Sequence, residues 1–215
     1  MRLLVTGPTG FIGRRVVQRL VGMGHQVRCL VRRTSDLRPI AGLPVEVWAG
    51  DVTDRTSLAG GLDAIDGVVH LVGIIREQRP GATFDRVHVL GTENLLAEAK
   101  AAGAGRFFFL SAIGAGPDPR YPYLATKWRA EELVKSAGIP WTILRSSIVY
   151  GPGDEFMSQL AALVRRPPAG DRLLAPFVPI IGSGRTRFQP IQVDDVARCV
   201  GMAATSPSFE GVERM

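Results

Sequence analysis

Residues 2–15 read RLLVTGPTGFIGRR, a short apolar run followed by Gly7, Gly10 and Gly13 at three-residue spacing. The apolar run predicts a β-strand, and apolar side chains at helical spacing in residues 11–23 predict a helix directly after the glycines. Glycines in such a turn permit a tight reversal and a close approach to phosphate, and the free N–H groups at the helix start bind the phosphate. A tight connection without a ligand is the alternative. The stretch therefore predicts a diphosphate-binding turn made of Gly7, Thr9, Gly10, Phe11, Ile12 and Gly13.

Strands and helices alternate along the rest of the chain. Strands are predicted at residues 2–6, 26–31, 44–49, 67–72, 106–110 and 141–144, and helices at 11–23, 55–62, 84–102, 124–137, 155–166 and 193–205. This alternation predicts an α/β fold, a doubly wound parallel (Rossmann) sheet with a small C-terminal substrate-binding region. We expect a nucleotide-binding core at residues 1–150 and a substrate-binding region at residues 151–215, interleaved with the core as a single structural unit.

Composition restricts the class of protein. The chain has 215 residues, of which 46% are hydrophobic, and no apolar run long enough to span a membrane, so we expect a soluble, cytoplasmic protein. The net charge of +6 comes from dispersed arginines without interleaved aromatic residues, which disfavours nucleic-acid binding. The two cysteines and three histidines are scattered, so neither a disulfide nor a metal site is expected.

The end of the second predicted strand indicates which nucleotide is bound. Arg32 and Arg33 stand there, and no acidic residue precedes Asp36. A NAD site places an acid at this point for the ribose 2′-hydroxyl, whereas arginine matches a 2′-phosphate in charge and geometry. The sequence therefore favours NADP over NAD, with solvated surface arginines as the alternative.

Two further strand ends fit a nucleotide, although each is a weak signal alone. Asp51 and Val52 follow the third strand, where a carboxylate could accept a hydrogen bond from the adenine amino group. Leu71, Val72 and Gly73 end the fourth strand with a small residue where the backbone passes a ribose.

Tyr123 and Lys127 have the spacing of a catalytic pair. On a helix, residues four apart share a face, so the Lys127 ammonium can lie near the Tyr123 phenol. A nearby cation favours the phenolate and brings the pKa of a tyrosine towards neutral pH, where it can act as an acid or base. Ser111, after the fifth strand, could bind the substrate oxygen. An ordinary surface pair is the alternative.

Together these motifs resemble the short-chain dehydrogenase/reductase superfamily. TGPTGFIG resembles the TGxxGxxG turn of its extended and atypical branches, and YLATK resembles their YxxxK. Residues 70–77, 84–96, 110–115 and 187–197 are similar to an atypical subgroup related to the accessory subunit of mitochondrial complex I. The resemblance covers residues 2–205.

The resemblance implies roles for individual residues. Tyr123 would be the acid–base residue, Lys127 would bind the nicotinamide ribose, and Ser111 would orient the substrate. His88 stands where many extended members have Asn and joins the cofactor-binding candidates. Residues 153–189 would build the substrate pocket, with Arg187 as a candidate for an anionic group. The nicotinamide would lie beside Ser146, Ser147 and Ile148.

The resemblance also implies a choice of functions. The first is NADP-dependent hydride transfer to or from a carbonyl or alcohol substrate of unknown identity. The alternatives are a sugar-nucleotide epimerase or dehydratase, and a non-catalytic NADPH-binding structural or assembly protein of a respiratory or quinone-related complex. A second copy of the chain or a membrane complex would be the protein partner.

Overall fold

The computed structural model describes residues 1–78, 80–165, 183, 185 and 187–214. Within these residues seven parallel strands form one sheet in the order β3-β2-β1-β4-β5-β6-β9. The strands are β1 (Arg2–Thr6), β2 (Gln26–Val31), β3 (Val45–Ala49), β4 (Gly67–His70), β5 (Phe107–Ala112), β6 (Trp141–Ser146) and β9 (Val212–Arg214). Two short parallel strands, β7 (Val149–Tyr150) and β8 (Ile191–Gln192), pair separately.

Helices cover both faces of the sheet, as the continuous apolar strands require. They are α1 (Phe11–Gly22), α2 (Gly91–Ala101), α3 (Pro122–Ser136), α4 (Phe156–Arg165) and α5 (Val193–Thr205). Alternate residues of a strand enter opposite cores: Leu4 and Phe107 pack on the side of α2 and α3, and Leu3 and Phe108 on the side of α1 and α5. The doubly wound parallel sheet predicted from the sequence is confirmed.

The strand order reverses between β1 and β4, the neighbours at the centre of the sheet. In a doubly wound sheet the crevice beyond the carboxyl ends of the strands at this reversal is where ligands bind. The β1–α1 turn lies at this point, because β1 pairs with β4 through Thr6 and His70 at its carboxyl end. The fold thus brings the glycine turn beside the segment after β4.

Several boundaries differ from the predicted ones. The predicted helix 55–62 is a 3₁₀ turn over Arg55–Leu58, ended by two glycines of which Gly60 has φ +78°. The predicted helix 84–102 begins as a π-helix at Asp85–Leu90 and becomes α-helical only from Gly91. β5 and β6 each run two residues further than predicted, because Ser111 and Ala112 pair with Arg145 and Ser146.

Residues after 150 contribute to the central layers as well as to the predicted substrate region. α5 packs against α1, and β9 extends the sheet beside β6. The predicted boundary at residue 150 stays a prediction, and the predictions for residues 166–182 lie outside the described residues.

Candidate functional site

The glycine turn has the geometry that its sequence predicts. Gly7 adopts φ +67°, and Gly10 N–H donates to the Gly7 carbonyl over 3.2 Å. A Cβ built on Gly13 would lie 1.9 Å from the Gly7 oxygen, so only glycine fits there. Gly10 begins α1 with no side-chain cap among the described residues, which leaves the first N–H groups of the helix to a ligand. Thr9, Phe11 and Ile12 complete the turn.

The arginines after β2 are available for an anion. Arg32 and Arg33 are exposed, and within the described part of the chain their side chains make no ion pair or hydrogen bond. Arg38, five residues further on, is instead held by Asp36 through contacts of 2.8–3.0 Å. Arg32 and Arg33 could therefore still bind an anion, whereas Arg38 is already paired with Asp36.

Asp51 is fixed after β3. Its Oδ1 accepts hydrogen bonds from the Thr53 N–H and hydroxyl at 2.8 and 2.9 Å. Its neighbour Val52 is buried, and the Val52 carbonyl accepts a hydrogen bond from Asn94. These hydrogen bonds fix the Asp51 carboxylate in a local turn at the carboxyl end of β3, and its predicted contact with adenine stays a prediction.

The segment after β4 joins the glycine turn to α3. Leu71 N–H donates to the Thr6 hydroxyl, and a Cβ on Gly7 would lie 3.4 Å from Val72. A Cβ on Gly73 would lie 3.6 Å from Lys127 Nζ and 3.7 Å from His88 Nε2. The segment after β4 therefore touches the glycine turn at Val72 and the predicted site residues Lys127 and His88 at Gly73.

Lys127 is buried, with 4% of its surface exposed. Its Nζ donates to the carbonyl of Leu110, the residue before Ser111, over 2.7 Å, and lies 4.5 Å from the centre of the Phe109 ring. Burial lowers the pKa of Lys127 to about 8, and the carboxylate of Glu131 acts in the opposite direction. An ammonium next to the end of β5 is thus held in a site whose low polarity disfavours its charge.

Tyr123 lies one turn before Lys127 on α3 and packs edge-on against the rings of Phe84 and His88, at 5.8 and 5.5 Å between centres. Burial raises the pKa of the Tyr123 phenol. The lowered pKa expected from the nearby lysine is therefore wrong for this structure, because the ammonium is bonded to Leu110 and desolvation of the phenol dominates.

Ser111 is placed beside the lysine. Only 2% of it is exposed, and within the described residues its Oγ has no hydrogen-bond partner. A buried hydroxyl without a partner costs free energy, which a ligand oxygen would recover. Ser146, opposite on β6, donates to the Ser111 carbonyl over 3.3 Å.

Both ring nitrogens of His88 lie within hydrogen-bond distance of protein atoms. Its Nδ1 pairs with the Thr126 hydroxyl at 2.9 Å and its Nε2 lies 3.1 Å from the Ile74 backbone. Burial, followed by the charge of Lys127, lowers the pKa of His88 to about 3, so the imidazole is neutral. His88 lies in the π-helical segment Asp85–Leu90, and such segments are frequent at functional sites.

Three predicted site residues remain: Ser147, Ile148 and Arg187. Ser147 and Ile148 follow β6 at the same sheet edge, and the Ile148 carbonyl accepts from Ile191. Arg187 is exposed and its side chain makes no hydrogen bond or ion pair in the described part of the chain, so its role in binding an anionic group stays a prediction. The described residues contain no group of three or more metal-binding side chains and no helix long and apolar enough to cross a membrane.

Sequence reasoning missed one buried acid, Glu131. It lies one turn beyond Lys127 on α3, is fully buried, and binds Arg145 with both oxygens, at 3.0 and 2.6 Å. Its spacing from Lys127 was the available signal.

Comparison with known proteins decides the family. The model of the NAD dependent epimerase/dehydratase family matches residues 3–214. The chain belongs to this family.

The relatives of the chain include enzymes and a respiratory-complex subunit. Ceramide reductase of Caulobacter vibrioides is 33% identical over 194 residues, which cover 90% of this chain and 57% of that protein. Subunit 9 of the NADH dehydrogenase [ubiquinone] 1 alpha subcomplex of Arabidopsis thaliana is 30% identical, over 91% of this chain and 48% of that protein. The chain thus spans about half the length of these curated relatives.

A solved structure shares the fold of this chain. MoeE5 in complex with UDP-glucose and NAD has a TM-score of 0.77 and 27% identity, and it matches 100% of this chain and 74% of that one. The resemblance to extended short-chain dehydrogenases predicted from the motifs is confirmed.

Proposed function

We propose that the protein is an NADP-dependent oxidoreductase that interconverts a carbonyl compound and an alcohol. The observation that carries the proposal is the unpartnered Ser111 hydroxyl next to the Leu110 carbonyl that binds the buried Lys127, with Tyr123 one turn before Lys127 on α3. The residues fit a dinucleotide: Gly13 lets α1 pack directly on the turn, Gly10 carries no side chain where a diphosphate would approach, and the N–H groups at the start of α1 have no side-chain cap in the described part of the chain.

Each side chain has a role in this reaction. A nicotinamide nucleotide held by the glycine turn would supply the two electrons, as hydride, for the carbonyl carbon. Tyr123 donates its phenolic proton to the carbonyl oxygen, and Ser111 donates a hydrogen bond to the same oxygen and orients it. Lys127 has three donors, of which Leu110 accepts one, so two remain for the hydroxyls of the ribose. The product is the alcohol, and solvent reprotonates Tyr123.

The cofactor is NADP rather than NAD. Arg32 and Arg33 follow β2 without a competing acid and without a partner in the described part of the chain. Arginine forms strong, charge-assisted hydrogen bonds to phosphate. The similar structure of MoeE5 was solved with NAD, so the fold alone does not select NADP. We expect the choice between NADP and NAD to rest on Arg32 and Arg33.

The substrate is apolar next to its reactive oxygen. A cavity of about 440 Å³ adjoins the start of α3, lined by Tyr121, Leu124 and residues 114 and 116–120. Ile113 and Tyr121 are exposed apolar side chains in this segment. A relative named ceramide reductase supports an apolar substrate.

Two alternatives rest on specific likenesses. The Arabidopsis complex I subunit supports a non-catalytic NADPH-binding role, with a complex as partner. The UDP-glucose in MoeE5 supports a sugar-nucleotide epimerase. The cytoplasmic location stays a prediction.

The test is titration with NADPH and NADH, followed by turnover on a panel of long-chain ketones, quinones and a UDP-sugar, with Tyr123→Phe as the matched variant. We expect NADPH to bind at least about tenfold more tightly than NADH and Tyr123→Phe to lower turnover about 10²-fold or more while NADPH still binds. Turnover that Tyr123→Phe leaves unchanged would overturn the acid–base role. Tight NADPH binding with no turnover of any compound would favour the structural alternative.

A further inference from the structure

Tyr123, Lys127 and Glu131 follow one another at four-residue spacing along α3. In a helix this spacing places all three on one face. Glu131 is fully buried and Lys127 nearly so, whereas their neighbour Glu132 is exposed. A buried carboxylate is costly unless a function or a partner stabilises it.

The partner of Glu131 is Arg145 on β6. The guanidinium binds both carboxylate oxygens, and it also reaches Glu213 on β9 over 2.8 Å. Glu213 in turn lies 2.9 Å from Lys135. This network ties α3 to the sheet, and it holds the Glu131 carboxylate in one position.

We propose that Glu131 is a positioning residue that keeps Lys127 charged, by holding a buried negative charge one helical turn behind the ammonium. The inference rests on the proposed function, in which the Lys127 ammonium donates hydrogen bonds to the ribose.

The surroundings of Lys127 otherwise oppose its charge. Burial lowers the pKa of Lys127 to about 8, and the Glu131 carboxylate raises it. Arg145 on β6 is the cation on the far side of that carboxylate, which it binds with its guanidinium. His88 on the π-helix and His70 on β4 are neutral, since burial, followed by the charge of Lys127, lowers the pKa of each to about 3. Burial raises the pKa of Tyr123, so the phenol is neutral too. The Leu110 carbonyl on β5 contributes a dipole but no charge.

A purely structural role for Glu131 is the competing explanation. The ion pair with Arg145 would then only anchor α3, and Lys127 would titrate as before when Glu131 is neutral. The two explanations differ in the titration of a single lysine, and the chain has only three lysines, at 100, 127 and 135.

The experiment is ¹³C NMR of protein grown with [ε-¹³C]lysine, titrated from pH 6 to 11 without cofactor. Lys127→Arg assigns the signal. In Glu131→Gln we expect the Lys127 midpoint to fall by about one pH unit or more, because the variant removes the negative charge that stabilises the ammonium. Glu132→Gln is the matched control, since Glu132 lies 3.1 Å from Lys135; it should leave the Lys127 midpoint unchanged.

A midpoint for Lys127 that is the same in Glu131→Gln and the wild type overturns the inference and leaves the proposed function standing. Inactivity of the wild type would count against the proposed function but not against this titration, which needs neither substrate nor cofactor. If Glu131→Gln fails to fold, Glu131→Gln/Arg145→Leu removes the pair together, a replacement that buried ion pairs often tolerate. A smaller fall of the Lys127 midpoint is expected in the double variant, because it removes the Arg145 cation together with the Glu131 carboxylate. An unchanged midpoint there also overturns the inference.

A second readout uses the cofactor. NADPH affinity should weaken above the Lys127 midpoint, so Glu131→Gln should move the alkaline loss of affinity to lower pH by the same interval. Glu132→Gln should not move it, and an unmoved profile in Glu131→Gln would contradict the inference.

Discussion

The Lys127 ammonium donates a 2.7 Å hydrogen bond to the carbonyl of Leu110, directly before Ser111 on β5. This bond connects the helix that carries Tyr123 to the strand that carries the unpartnered hydroxyl. This interaction between α3 and β5 thus helps to fix the candidate catalytic groups relative to one another. Such preorganisation is what acid–base catalysis at a positioned carbonyl requires.

The buried charge of Lys127 predicts that the protein becomes more stable as the pH rises above neutral. The unfolded lysine keeps its proton to about pH 10.5, whereas the folded one releases it near 8. Between these values the unfolded state binds more protons, so the stability of the wild type rises with pH. Relative to Lys127→Met, urea unfolding should show a gain on the order of 3 kcal/mol from pH 7.5 to 10. Parallel curves for the two proteins would contradict a buried ammonium.

The buried His70 predicts that the protein becomes less stable at acid pH. It is fully buried between the Phe107 and Phe109 rings and pairs with the Thr6 hydroxyl at 2.7 Å. Burial, first of all, lowers its pKa from 6.5 to about 3, so between those values the unfolded chain binds an extra proton and stability falls as the pH falls. His70→Gln should reduce the slope of unfolding free energy against pH in this window by about 1.4 kcal/mol per pH unit. A slope equal to that of the wild type would count against a neutral His70.

Two glycines of the β1–α1 turn have different expected roles: Gly13 allows close packing within the turn, and Gly10 leaves room for a ligand. Gly13→Ala places a Cβ 1.9 Å from the Gly7 oxygen, so we expect a loss of about 1–3 kcal/mol of stability, measured by thermal unfolding. Gly10→Ala is the control, since its Cβ would lie 3.4 Å from the same oxygen. This variant should fold normally and bind NADPH more weakly. Equal melting temperatures for the two variants would contradict the packing of the turn.

The nucleotide preference depends on Arg32 and Arg33. Arg32→Ala and Arg33→Ala should each weaken NADPH binding by about tenfold, while NADH binding stays unchanged, because only NADPH carries the 2′-phosphate. Arg38→Ala should change neither affinity, since Arg38 is already paired with Asp36. Isothermal titration gives both constants, and a fall in NADH affinity as large as that for NADPH would remove the 2′-phosphate explanation.

Local patterns were sufficient for most of the sheet. The bounds of β1 and β2 match the prediction because each is a mostly apolar run between turn residues, which is typical of a buried parallel strand. β9 was missed because its three residues pair with β6, about 70 residues earlier in the chain, and no local signal encodes such a partner. The π-helix at Asp85–Leu90 was missed because its pattern of apolar residues is also that of an α-helix.

The site was predictable in its members but not in its electrostatics. Tyr123, Lys127 and Ser111 could be selected from spacing and position after a strand. The bond from Lys127 to Leu110 and the burial of Tyr123 depend on how α3 packs on β5, which spacing alone does not determine. Glu131 was missed for the same reason, since its importance depends on Arg145 across the interface.

The most direct measurement follows deuterium from [4-²H]NADPH, prepared as both C4 epimers, into the product of a long-chain ketone by mass spectrometry. The proposed function predicts that one epimer transfers deuterium to the carbinol carbon in the wild type, and that the amount falls about 10²-fold or more in Tyr123→Phe at equal NADPH occupancy. NADPH that binds tightly but transfers no deuterium from either epimer to any ketone, quinone or sugar nucleotide would contradict it.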